Sequence, residues 1–188
     1  MRMRLKRPAL SAATVGIMSA TLTAGKLALS FLPNVEIVTL VTALYSYSFG
    51  ALGLLASFVF VITEMLIYGF GSWVISYFIY WPAVALLFMH LGFLRVRGRI
   101  LPTVLAVVMT VIFGVLTSLV DIGLFSGFFD NFIARFSIYY LRGIPFYVVH
   151  AVSNAVIFLF LYPPLRSVVM GVKVSLFRTG RGQRRGHR

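Results

Sequence analysis

A chain of 188 residues that is 60% hydrophobic and only 11% charged has too little polar side chain to cover a soluble domain of its size. The net charge of +13 does not point to nucleic acid, because eleven of the seventeen basic residues stand at the two ends of the chain, where they flank apolar runs and act as topology signals. The absence of cysteine excludes disulfides and thiolate metal sites.

The opening residues carry Arg2, Arg4, Lys6 and Arg7. The apolar run from Ala9 to Leu32 then exceeds the ~7–15 residues of a signal-peptide core, so it reads as a first helix, stopped by Pro33 and Asn34. The next run, Val35 to Tyr68, would measure about 51 Å as one straight helix, well beyond the ~30 Å hydrocarbon core of a bilayer. It must break, and Gly50 and Gly53 are the natural place. The expectation is helix 2 over 36–50 and helix 3 over 53–68. Gly69 to Ser72 is a loop. Helix 4 covers 73–94 with a kink at Pro82, and Arg95, Arg97, Gly98 and Arg99 form a basic turn. Helix 5 covers 101–126. A polar-aromatic connection, partly helical, fills 127–142, and helix 6 covers 144–168, its end left open by Pro163 and Pro164. The division is a six-helix transmembrane domain over 1–170 and a basic cytoplasmic tail over 171–188, disordered at its end.

The predicted class is therefore an all-α integral membrane protein with six transmembrane helices. Six spans place both termini on one side. That side then holds fourteen basic residues, against Arg135 and Arg142 on the other, which makes it the cytoplasmic side of the membrane.

Chain direction then assigns depth. It brings Lys26, Glu36, Glu64, Asp121, Tyr147, His150 and Asn154 to the outer half of the bilayer, with Trp73, Tyr77, Tyr80 and Trp81 at the same level. Ionisable groups in lipid normally face a cavity or a partner. Several polar groups among aromatic rings describe a small-molecule pocket. For Lys26 the alternative to facing such a pocket is a pairing with Glu36 or Glu64 that only ties helices together. Trp73 fits an interfacial belt, and His90, beside the basic turn, reads as interfacial too. Tyr147, His150 and Asn154 share one face of helix 6 and are expected to line the pocket. The candidate ligand-binding set is Asn34, Glu36, Glu64, Tyr77, Trp81, Asp121, Tyr147, His150 and Asn154.

Catalysis finds no support. The chain has no G-x-x-x-x-G-K-[ST], no H-E-x-x-H and no G-x-S-x-G, and Glu64 with Asp121 would lack a nucleophile or metal. No enzyme activity, metal or cofactor is expected.

Two stretches carry a family resemblance: LPNVEIVT from Leu32 to Thr39, opening helix 2, and RGIPFYVVHAVSN from Arg142 to Asn154, opening helix 6. With the chain length, six helices and cytoplasmic ends, they resemble the substrate-binding S component of energy-coupling factor (ECF) vitamin transporters. Where relatives commonly carry Asp, this chain has Tyr147. The resemblance implies a bacterial cytoplasmic membrane protein that captures a vitamin or its precursor from outside. It also implies partners: a membrane coupling protein resting on two cytoplasmic ATPases. The contact with the coupling protein would use Ala9, Ala13, Ala20 and Ala24 of helix 1, since small residues four apart let helix backbones approach closely. The competing reading is a structural membrane protein resembling the MreD cell-shape family, which would need no ligand.

Overall fold

The computed structural model describes residues 8–182, with side chains through residue 177. Among these residues there are six α-helices and no strand: α1 (Pro8–Ala28), α2 (Val38–Phe49), α3 (Ala51–Tyr68), α4 (Ser72–Phe93), α5 (Ile100–Phe125) and α6 (Phe132–Gly182). Four of them, α3 to α6, are long and apolar enough to cross a membrane. The basic residues at 2, 4, 6 and 7, and at 184, 185 and 188, lie outside the described residues, as does the far end of the tail.

Several expected boundaries are corrected. Helix 1 ends at Ala28, so residues 29–37 form a longer connection than the Pro33 stop implied, and Glu36 lies just before α2. The break between α2 and α3 is a single residue, Gly50, whose φ of +63° is a conformation glycine adopts without steric cost. Gly53 lies inside α3. The 127–142 connection is mostly helix, because α6 already begins at Phe132. Nor does α6 end near residue 168. It runs through Pro145, Pro163 and Pro164 to Gly182, so the tail from 171 is helical that far. Proline removes one backbone donor and strains the preceding turn, yet side chains and neighbouring helices can hold such a helix together. At 51 residues α6 is about 76 Å long. It must project well beyond any bilayer core.

The short α2 is the hub. Nine of its twelve residues are buried, and it packs against α1, α3, α4 and α6. Side-chain pairs fix the directions. Glu36, just before α2, meets Asn154, and the end of α2 meets Tyr162 and Lys173, so α2 and α6 run the same way. Lys26, near the end of α1, meets Glu64, near the end of α3, so those two also run together. The core joins Leu40, Ala43 and Leu44 of α2 to Phe60, Trp81, Val84, Phe88 and Phe158. At Gly92, α4 passes so close to Tyr47 that a Cβ there would collide with the Tyr47 carbonyl oxygen.

α5 docks on α6 through a row of small or slim residues. Ala106, Thr110, Gly114 and Ser118 recur every fourth position and are all buried or nearly so. Such a row lets backbones approach. At the opposite end from Asn154, Tyr47 donates to the Val96 carbonyl (2.7 Å), and Arg166 donates to the carbonyls of Val96 (3.2 Å) and Arg97 (2.7 Å). Lys173 reaches the Ser48 carbonyl. The extended part of α6 thereby clasps the ends of α2 and α4.

Candidate functional site

The site is built around Glu36. Its Oε2 accepts the Thr39 backbone N–H at 2.8 Å, so it caps the first turn of α2, a role that its neighbour Ile37 cannot fill. Its Oε1 accepts from His150 Nε2 at 3.1 Å and from Asn154 Nδ2 at 3.0 Å. A carboxylate only accepts, so the proton of the first bond sits on Nε2. The second Asn154 amide proton goes to Thr110 Oγ1 at 2.9 Å, and that hydroxyl donates onward to the Ala106 carbonyl at 3.0 Å. Asn34, with φ of +60°, turns the preceding loop so that its carbonyl accepts from Ser153 at 3.4 Å. One carboxylate thus ties the α1–α2 connection and α2 to α6, and through Asn154 to α5. Burial by itself would raise the Glu36 pKa. The hydrogen bond and charge of His150 and the bonds from Thr39 outweigh it and hold the carboxyl below its ordinary 4.5.

Aromatic rings stand beside this cluster. Phe113 meets His150 edge-on at 6.2 Å, Tyr80 at 4.6 Å and Tyr77 at 6.1 Å, and Tyr77 and Tyr80 both meet Trp81. The Tyr80 hydroxyl lies beside Thr39 and Thr110 without reaching hydrogen-bond geometry with either. Asn154 Oδ1, Tyr80 Oη, Thr39 Oγ1 and Trp81 Nε1 are all buried and make no hydrogen bond among the described residues. Buried polar groups are paired in the great majority of cases, so these unpaired atoms are exceptions.

The candidate residues fall into three places. Asn34, Glu36, His150 and Asn154 come together, with Tyr77 and Trp81 in the ring set beside them. Glu64 lies in a neighbouring cluster with Lys26, wholly buried, and Lys26 pairs with it rather than with Glu36. Tyr147 is apart. Its ring packs on Gly114 and on Tyr140, and its hydroxyl sits 3.4 Å from Ser118 Oγ, so it belongs to the α5–α6 seam. Asp121 is half-buried on α5 and makes no hydrogen bond or ion pair among the described residues. Ala9, Ala13, Ala20 and Ala24 are all exposed on α1, while Ser11, Thr14, Met18, Ser19, Leu22 and Thr23 face the bundle. The sequence reading missed Thr39, Tyr80 as a polar contributor, Thr110, Phe113 and Ser153. Thr110 had a signal, its place on the four-residue row of α5; Phe113 had none beyond being aromatic. Among the described residues no three His, Asp or Glu side chains gather as a metal site.

A scan against protein-family models finds no match for this chain, and searches of curated proteins and of solved structures find none either.

Proposed function

We propose that this chain is a ligand-capture subunit embedded in the bacterial cytoplasmic membrane, an S component of the ECF type that binds a vitamin-like molecule. In this reading all six helices enter the bilayer, α6 with only part of its length, both termini are cytoplasmic, and Glu36, His150 and Asn154 face outward. The observation that carries the proposal is the set of unpaired, buried polar atoms among rings around the Glu36 carboxylate. Leaving Asn154 Oδ1, Tyr80 Oη and Trp81 Nε1 without partners costs about 1–3 kcal/mol each, which a ligand's donors and acceptors would recover. A flat heterocycle with donors and acceptors on its edge answers both the rings and the polar atoms.

The small-residue face of α1 supports the partner part of the reading. Ala9, Ala13, Ala20 and Ala24 are turned away from the chain's own bundle, so close approach on that side serves another helix or lipid. The coupling protein is the proposed neighbour, and the two ATPases supply the energy that no nucleotide motif in this chain can provide. The test is purification in detergent followed by mass spectrometry of co-purified small molecules, and uptake by the chain alone in vesicles. We expect a bound heterocycle and no ATP-driven accumulation. Concentrative uptake by the single purified chain would refute the reading.

A further inference from the structure

A second polar cluster stands at the ends of α1 and α3, beside the start of α4. Lys26 reaches from the last turn of α1 to Glu64 Oε2. Its ammonium is also held by three rings, at 4.5 Å from the centroid of Tyr68, 5.5 Å from Tyr77 and 5.8 Å from Trp73. Two of the rings pack on each other, Trp73 against Tyr77 at 5.1 Å. The loop before α4 sets this arrangement, with Gly69 at φ +82° turning the chain so that Trp73 returns over Lys26.

Rings on several sides of a cation, with a carboxylate behind them, is the chemistry that recognises organic ammonium ions. An ion pair that only ties helices needs the carboxylate and the ammonium; it does not need three rings. Glu64 is 0% exposed, and its Oε1 makes no hydrogen bond among the described residues, so half of this buried carboxylate is unused by Lys26. The Lys26 side chain is 29% exposed. It therefore has a route out, whereas Glu64 has none.

We propose that Glu64, Tyr68, Trp73 and Tyr77 form a binding site for an organic ammonium group, and that Lys26 occupies it as a tethered stand-in which such a ligand displaces. On displacement the charges still balance: one cation leaves the carboxylate as another arrives, so Glu64 is never buried without a counter-charge. Tyr77 joins this site to the first one, since its ring also meets Trp81 at 5.6 Å and Phe113 at 6.1 Å. A ligand with an ammonium at Glu64 can lay its body along Tyr77 toward the Glu36 cluster. The inference extends the ligand-capture reading by naming the chemistry of one corner, and it can fail while that reading stands.

The test uses the full chain in detergent micelles with tetramethylammonium and ethylammonium chloride as probes, against sodium chloride at equal ionic strength. Fluorescence of the two tryptophans, Trp73 and Trp81, and thermal stability are read in parallel. A tethered ammonium competes at high effective concentration, so Lys26→Ala should bind the probes at least about tenfold more tightly than the unmodified chain. Ethylammonium should also restore part of the stability that Lys26→Ala loses. Adding Glu64→Gln in the same background should abolish both effects. If Lys26→Ala does not fold, Lys26→Met keeps the stem in place and carries the same expectations. A Lys26 variant that shows no response beyond that to sodium chloride overturns the proposal, as does a response that survives Glu64→Gln. Co-purification of a ligand by the unmodified chain under those outcomes leaves the capture reading intact.

Discussion

The side-chain amide of Asn154 lies 3.0 Å from the carboxylate of Glu36, across 118 positions of sequence. Its two protons are both committed, to Glu36 and to Thr110, while its carbonyl oxygen is buried and unpaired. Asn154 is therefore held in one orientation with an acceptor to offer.

That geometry predicts how substitution acts on binding. Asn154→Ala removes the acceptor and loosens Glu36, so ligand affinity should fall about 5- to 150-fold, the equivalent of one unsatisfied polar group. His150→Ala should act in the same direction. Thr63→Ala is the control, since that hydroxyl is exposed and bonds only to its own helix. Equilibrium binding of the co-purified ligand to each purified variant checks this. Unchanged affinity with lowered thermal stability in both Asn154→Ala and His150→Ala would make them ties between helices.

The Glu36 carboxyl also sets an acid limit on the fold. Its pKa is lowered in the folded chain, so its contribution to stability is fully present above the ordinary value of 4.5 and is lost as pH falls through the lower folded value. Thermal unfolding in detergent should show a falling midpoint as the buffer is taken from near 4.5 downward. Glu36→Gln should start lower at neutral pH and flatten that acid slope. An acid slope identical in the variant and the unmodified chain would assign the effect to other carboxylates.

Topology is checked with single cysteines, which the native chain lacks entirely. Gly71→Cys and Asp130→Cys should react with a membrane-impermeant thiol reagent added outside intact cells, and Arg97→Cys should react only after permeabilisation. All three positions lie in connections between helices. External labelling at position 97 would invert the orientation on which the outward-facing site depends.

Packing of the hub is checked at Gly92. A methyl group there meets the Tyr47 carbonyl oxygen, which is backbone and cannot turn aside. Gly92→Ala should destabilise the fold by about 1–3 kcal/mol through overpacking. Gly16→Ala on α1, where an added Cβ meets nothing within 4 Å, is the matched comparison. Equal unfolding midpoints for the two variants would show that α4 can shift away from α2 at no cost.

Composition and hydropathy are enough to show that the chain is helical and apolar. The sequence also places most helices within a few residues, and it groups Glu36, His150 and Asn154 at one level. Hydropathy and chain direction suffice for that, because the length of an apolar run and the side on which it starts fix how far along the bundle each residue lies. Rotation about each helix axis and the order of neighbours are set by packing between segments far apart in sequence. Packing in the fold therefore makes α2 the hub, gives Lys26 to Glu64 rather than Glu36, and turns Tyr147 to the α5 seam while His150, three residues on, turns to Glu36. The same holds for α6. Two prolines in a row signal an end when read locally, yet the helix continues to Gly182, because a proline deletes one donor while Arg166, Lys173 and Phe177 anchor the continuation to the ends of α2 and α4.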